Sequence, residues 1–231
     1  MYIKGWIKST LLDYPGRIAA AFFCGGCNFR CPNCHNRDLV LALNDLPDIR
    51  QEEIWAFLQK RRVLLDGVVI SGGEPTLQPD LLDFAVRLHE MGFLVKLDTN
   101  GYRPDVIQEM LAVRAVDFVA MDIKAPPDRY GEAAGVQVDV GRIRRSVDLL
   151  LGGEVAYEFR TTVVPGLLEK EDVLGIARWI SGAERYCLQQ FVPQNTLDPA
   201  MMDRSPYLPA ALGEMADLVK PYVGQVEVRG I

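Results

Sequence analysis

Four of the chain's five cysteines fall within residues 24–34, and the spacing of the last three suits an iron–sulfur cluster. The stretch reads Cys24-Gly25-Gly26-Cys27-Asn28-Phe29-Arg30-Cys31-Pro32-Asn33-Cys34-His35-Asn36. Cys27, Cys31 and Cys34 are separated by three and then two residues. Such a loop can set thiolates on three corners of one [4Fe–4S] cubane but does not easily reach the fourth. Cubanes held by protein alone use four cysteines, so three leave one iron open for chemistry. Other readings of the same residues stand beside this one. Zinc could use Cys24, Cys27, Cys31 and Cys34, although structural zinc sites separate their two cysteine pairs more widely. A ferredoxin-type cluster has a different spacing order and a proline after its last cysteine. Cys24 and Cys27 could form a redox dithiol. With only two histidines, His35 and His89, any metal site must be built from thiolates.

Further along lie short polar groups, each after an apolar run. Ser71-Gly72-Gly73-Glu74-Pro75 follows Val68-Val69-Ile70, and its glycines let backbone approach a ligand with no Cβ in the way. Leu97-Asp98-Thr99-Asn100-Gly101 and Met121-Asp122-Ile123-Lys124 place acids, and one base, at the ends of two more such runs. Phe159-Arg160-Thr161-Thr162 adds a guanidinium, which suits a planar anion.

These groups need a frame that brings them together. Apolar runs predict strands near 18–23, 66–70, 93–98, 116–122, 156–163, 186–191 and 225–229. Between them, apolar residues recur at helical spacing, as in Ile54, Phe57 and Leu58 or Val173, Ile176, Ala177 and Ile180. Two helices are expected to open on Pro79-Asp80 and Pro104-Asp105, since proline fits the first helical position and aspartate the positive helix end. A last helix is expected near 208–220. Repeated strand–helix units give a parallel sheet with helices outside. About six units suit an α/β partial, open TIM-like barrel, with an open doubly wound sheet as the rival. In both, chemistry belongs at the carboxyl ends of the strands. Residues 1–231 are expected to form one domain, with residues 1–17 as an N-terminal extension.

Composition narrows the partners. The formal net charge is −6, with acids and bases interspersed, which excludes a basic nucleic-acid face. The first residues lack the apolar core of a signal peptide, and the apolar run 18–24 is too short for a membrane span. Clustered cysteines in odd number make a poor disulfide framework and fit a reducing compartment. A cytoplasmic protein is expected, with no membrane or nucleic-acid partner.

The cysteine spacing resembles the signature of the radical S-adenosylmethionine (SAM) superfamily, and Ser71-Gly72-Gly73-Glu74-Pro75 resembles its Gly-Gly-Glu-Pro motif. The run Cys34-His35-Asn36 looks like the glycyl-radical-enzyme activating branch. Trp6-Ile7-Lys8-Ser9-Thr10-Leu11-Leu12-Asp13-Tyr14-Pro15-Gly16 resembles the anaerobic ribonucleoside-triphosphate reductase activating proteins, and the likeness extends to about residue 165. The resemblance implies a [4Fe–4S] cluster on Cys27, Cys31 and Cys34, with SAM as cosubstrate. Gly72, Gly73 and Glu74 would lie at its methionine amine, Asp98 and Asn100 by the ribose, and Lys124 and Arg160 at its carboxylate. Asp98, Thr99 and Asp122 would hold a monovalent cation. It implies two partners: a glycyl radical protein, the anaerobic ribonucleotide reductase, and an electron donor such as flavodoxin or ferredoxin. A radical enzyme acting on a small molecule, and a non-catalytic iron–sulfur or zinc module, are the alternatives.

Two departures from the family pattern bear on binding. Asn33 stands where relatives carry an aromatic ring against adenine, which leaves polar contacts such as His35 for the base. No histidine follows His89, so a late-strand histidine used by some activating enzymes must be replaced, with Gln194 as the candidate.

Overall fold

The computed structural model describes residues 1–231, and its frame is one sheet of eight strands. Strands β1 (Ile3–Thr10), β2 (Ala19–Cys24), β3 (Gly67–Gly72), β4 (Leu94–Thr99), β5 (Phe118–Asp122), β6 (Ala156–Val163), β7 (Arg185–Gln190) and β8 (Gln225–Arg229) pair in chain order. The run β2 to β8 is parallel, and β1 lies antiparallel on β2. β1 and β8 do not pair with each other, so the barrel stays open.

Helices α1 (Arg37–Leu41), α2 (Gln51–Arg61), α3 (Leu81–Glu90), α4 (Pro104–Ala112), α5 (Tyr130–Ala134), α6 (Val140–Leu151), α7 (Lys170–Trp179) and α8 (Pro209–Val219) fill the connections. Their apolar faces bury the outer side of the sheet. Ala20, Phe22, Val68, Ile70, Val95, Leu97, Val119 and Met121 belong to this main core, together with Ile54, Leu58, Phe84 and Ile107 from the helices. Successive side chains of a strand point to opposite faces, so the alternate set lines the inside. There Ala19, Ala21, Val69 and Ala120 pack with Phe118 and Tyr14, small side chains with two rings that plug the lower end. Above that plug the inward positions turn polar: Ser71, Asp98, Asp122, Arg160, Thr162 and Gln189.

The expected partial barrel is present, with two local differences. Residues 3–10 form an edge strand rather than an extension outside the sheet. Register shifts at both ends of the β1–β2 pairing break the alternation of buried and exposed residues, which hides the strand in the sequence. Proline also marks only one of the two expected helix starts. Pro104 is the first residue of α4, whereas α3 begins at Leu81, beyond both Pro79 and Asp80. The Asp80 carboxylate does not cap the helix; it accepts from the Met1 amino group and from Gln51 Nε2. No helix is long and apolar enough to cross a membrane.

Candidate active site

The carboxyl ends of β2 to β7 surround a cavity of about 430 Å³. Cys27, Cys31 and Cys34 all border it. Cys24 does not, because it follows Ala20 and Phe22 onto the outer face, fully buried in the main core. That removes Cys24 from the ligand set, along with the four-cysteine zinc site and the dithiol. No three acidic, cysteine or histidine side chains converge closely enough for a single ion. A cubane instead offers each thiolate its own iron, and the three-cysteine loop fits that demand.

Backbone contacts shape the loop. The Cys34 amide donates to Cys31 O at 3.0 Å, and the Phe29 amide points at Cys27 Sγ at 3.4 Å. Arg30 curls back to donate to the carbonyls of Cys27 and Phe29 at 2.7 and 2.8 Å. The Phe29 ring is edge-on to Tyr102 and Tyr130. Burial pushes the Cys27 thiol up to about 12 and the Cys31 thiol to about 11, the latter despite the pull of Lys124. Metal ligation requires thiolates, so the positive charge of iron must supply what this environment withholds.

The Gly-Gly loop is bolted to the cysteine loop. Gly73 N donates to Cys24 O, and Glu74 N to Gly26 O, each at 2.8 Å. A Cβ on Gly73 would lie 1.9 Å from Gly26 O. Gly72 has φ +111°, and a Cβ there would meet the Cys24 backbone at 2.4 Å. Glycine is needed at both positions for loop-on-loop contact, a stronger constraint than approach to a ligand. Asn36 Nδ2 donates to Gly72 O at 2.9 Å from the far end of the cysteine loop.

Glu74 turns inward and is 1 % exposed. Its carboxylate accepts from Thr76 N and Oγ1 at 3.1 and 2.5 Å, from Thr99 Oγ1 at 2.7 Å and from Asn100 N at 2.7 Å. Burial raises its pKa against the pull of these donors. The carboxylate thus ties the β3 loop to the β4 loop while still bordering the cavity. Asn100 continues the tie: its Nδ2 donates to Asn28 Oδ1 at 2.9 Å and lies 3.9 Å from Cys27 Sγ.

Across the cavity the inward residues of β4, β5 and β6 form a lattice of charge. Asp98 pairs with Lys96 and accepts from Ser71 Oγ at 3.0 Å, with Arg160 Nη1 at 3.5 Å. Asp122 accepts from Arg160 Nε at 2.9 Å and from Lys124 Nζ at 3.0 Å. The β5–β6 register, which sets Asp122 beside Arg160, makes this contact. Burial alone would raise both acids, but Arg160 with Lys96 holds Asp98 below the usual carboxylate range, and Arg160 with Lys124 holds Asp122 at about 2. Burial likewise would lower Lys124 and Arg160, and Asp122 more than reverses it. Arg160 and Lys124 are the two cations on the cavity wall, both paired with Asp122, and a guanidinium beside an ammonium suits a carboxylate.

All but one of the residues singled out for binding border this one cavity: Asn33, His35, Gly72, Gly73, Glu74, Asp98, Thr99, Asn100, Asp122, Lys124 and Arg160, beside the three cysteines; the exception is Gln194. Three expectations meet a different local setting. Asp98, Thr99 and Asp122 are not assembled as a cation site, since both acids face cations and the Thr99 hydroxyl donates to Glu74. The His35 ring stacks on Phe191 and its Nε2 meets Val192 O at 2.7 Å, so it anchors the cysteine loop to the segment after β7. Gln194 does not reach the cavity; Thr162 and Gln189, register partners on β6 and β7, do. Strand alternation from Arg160 could have found Thr162. Asp13, in the connection from β1 to β2, also lines the cavity, and only its place in the opening motif marked it.

The sequence profile of the Radical SAM superfamily matches residues 22–180, which span the cysteine loop, the Gly-Gly loop and the charge lattice. The chain belongs to that superfamily. A Methanocaldococcus jannaschii protein, MJ1227, named for glycyl-radical enzyme activation, is 35 % identical over 99 % of this chain and 96 % of its own length. The pyruvate formate-lyase-activating enzyme of Clostridium pasteurianum is 30 % identical over 81 % of this chain and 79 % of its own. Among radical SAM proteins this chain is thus an enzyme of the glycyl-radical activating type, a family whose cofactors are a [4Fe–4S] cluster and SAM. Solved structures share the fold. Streptococcus suis SuiB bound to S-adenosylmethionine superposes with a TM-score of 0.68 at 14 % identity, covering 89 % of this chain and 48 % of that one. A domain of a Bacteroides vulgatus pyruvate-formate lyase-activating enzyme gives 0.58 at 17 % identity, covering 71 % of this chain and 99 % of that one.

Proposed function

We propose that this enzyme installs a glycyl radical on an anaerobic ribonucleoside-triphosphate reductase, with the cluster on Cys27, Cys31 and Cys34. The observation that carries the reading is the meeting of those three thiols with the Gly-Gly loop and the charge lattice around one cavity. When bound, the cluster and SAM supply reductive cleavage of the S–C5′ bond, giving methionine and a 5′-deoxyadenosyl radical able to abstract hydrogen. The chain's own residues bind and orient. The cations Arg160 and Lys124 suit the methionine carboxylate, and Asp98 and Asn100, at the β4 end, suit the ribose. Asn33 borders the cavity within the cysteine loop, where the adenine would lie. The likeness of residues 6–16 to reductase activating proteins supports the choice of target. The gap between β1 and β8 supports a polypeptide substrate, because a loop of a partner could reach the interior there.

The test is anaerobic incubation of the reconstituted enzyme, SAM and a reductant with purified anaerobic ribonucleotide reductase, and separately with pyruvate formate-lyase. Electron paramagnetic resonance reads the glycyl radical. A signal on the reductase alone is expected. A signal on pyruvate formate-lyase alone would move the target while leaving the chemistry intact.

A further inference from the structure

Reductive cleavage of SAM consumes one electron per event, and that electron must enter from outside. We infer that the acidic carrier protein that delivers it docks on one particular surface, an arginine-lined hollow on the outer side of the cysteine loop. This inference rests on the proposed cluster at Cys27.

The hollow, about 520 Å³, is separate from the active-site cavity. Its lining includes Asn28, Tyr102, Arg103, Asp105, Arg142 and Arg145, three arginines against one aspartate. Arg103 is paired with Asp105 at 2.9 Å, whereas Arg142 sits over the Tyr102 ring at 5.1 Å, with its nearest acid, Asp139, at 3.8 Å. Arg142 and Arg145 are exposed and lie in the first two turns of α6, and the hollow also takes in the N-terminus of α4. Both positions belong to the end of the barrel that carries the active site. In a chain of net charge −6 this local excess of positive charge runs against the overall balance.

Its floor gives the patch its purpose. Asn28 lines the hollow, its Oδ1 accepts from Asn100 Nδ2 at 2.9 Å, and that amide lies 3.9 Å from Cys27 Sγ. One asparagine pair therefore separates a docked carrier from a cluster ligand. A cleft lined by one sign of charge concentrates and orients an oppositely charged partner, and weak electron-transfer contacts need only a small interface. With the anionic flavodoxin hydroquinone as carrier, the flavin gives up one electron, keeps its N5 proton and becomes the neutral semiquinone. The electron is consumed in breaking the S–C5′ bond.

The experiment compares the reconstituted wild-type enzyme with Arg142→Glu/Arg145→Glu. A charge-matched control, Lys60→Glu/Arg61→Glu, alters the last turn of α2 at the opposite end of the barrel. The probe is purified flavodoxin, and the readouts are its Kd for the enzyme and the rate of 5′-deoxyadenosine formation, with dithionite as a second reductant. The hollow variant should lose about tenfold or more in flavodoxin affinity at low salt, within the range by which charge steers such encounters. The loss should shrink at high salt, and dithionite-driven cleavage should match wild type. Unchanged flavodoxin affinity, or an equal loss in the control, would overturn the docking site. Failure of wild type to cleave SAM even with dithionite would instead overturn the proposed function beneath it.

Discussion

The two walls of the active-site cavity are built on different principles. On the β2–β3 side the cysteine and Gly-Gly loops are joined by backbone hydrogen bonds, and a contact of 1.9 Å would await a Cβ added at Gly73. On the β4–β6 side the same cavity is walled by charged side chains, Asp98, Asp122, Lys124 and Arg160, in one chain of ion pairs with Lys96 behind them. Backbone clamping gives a shape that a substitution either permits or destroys. A charge lattice can lose a member and relax, so its responses should be graded and dependent on pH. The division suits the proposed tasks: thiols that would hold a cluster need a rigid setting, whereas a flexible cosubstrate would be gripped by charge.

The largest effects should come from the clamped wall. Cys27→Ala, Cys31→Ala and Cys34→Ala should each abolish SAM cleavage, and reconstituted wild type should hold about four irons per chain, as for one cubane. Cys24→Ala and Cys187→Ala should keep most activity at a stability cost of about 1 kcal/mol, since both thiols are buried away from the cavity. Iron analysis and 5′-deoxyadenosine assay check this. A Cys24→Ala enzyme as inactive as Cys31→Ala would return Cys24 to the ligand set.

Next comes Gly73→Val. A ligand-facing glycine would lose SAM binding yet keep its cluster. Here the new Cβ points at Gly26 O, within the cysteine loop, so the variant should incorporate less than half the wild-type iron. Gly26→Ala, whose Cβ meets nothing within 4 Å, should cost only the strain of its φ of +88°, about 1–2 kcal/mol, and keep its iron. Equal iron in all three proteins would mean that the two loops are not clamped as described.

The contrast between the walls also explains what could be read in advance. Cysteine spacing, Gly-Gly and the polar ends of β4 to β6 were legible because each is a local pattern on a periodic frame. Cys24 could have been excluded by counting alternate residues from Ala20. The hydrogen-bond partners of Glu74 and His35 were not legible because the partner of a side chain is a tertiary fact: Thr99 and Asn100 lie 25 and 26 residues from Glu74, and Val192 lies 157 from His35. β1 was missed because its irregular pairing leaves no clean period of two.

The charge lattice should respond to acid. Asp122 has its pKa depressed from 3.8 to about 2, so the folded state binds its proton more weakly than the unfolded chain does. Its contribution is therefore complete above about pH 4 and is lost as pH falls towards 2. The shift corresponds to about 2 kcal/mol. Asp122→Asn should be less stable than wild type by that order at pH 7, and the difference should close below pH 4. Urea denaturation followed by circular dichroism at stepped pH checks it. Acid loss of the cluster is common to both proteins, so the difference curve isolates Asp122. A pH-independent difference would mean that the pair with Arg160 and Lys124 is not formed.

The smallest effect expected lies where the two walls meet, at Asn33. It belongs to the clamped loop by sequence, yet its side chain borders the cavity. If backbone clamping alone governs this loop, a side chain that projects into the cavity can be exchanged without disturbing the cluster. Stacking of an aromatic ring on a base is worth about 1–3 kcal/mol, and the lower end corresponds to about a fivefold gain in affinity. Asn33→Tyr should therefore keep its full iron content and bind SAM about fivefold more tightly, measured by equilibrium binding to the reconstituted enzyme. Unchanged affinity with full iron would mean that position 33 does not face adenine. Weaker binding with full iron would show that the Asn33 amide makes a polar contact with the base that a ring cannot replace. Loss of iron would break the comparison itself, because side chains as well as backbone would then be holding the cysteine loop in shape.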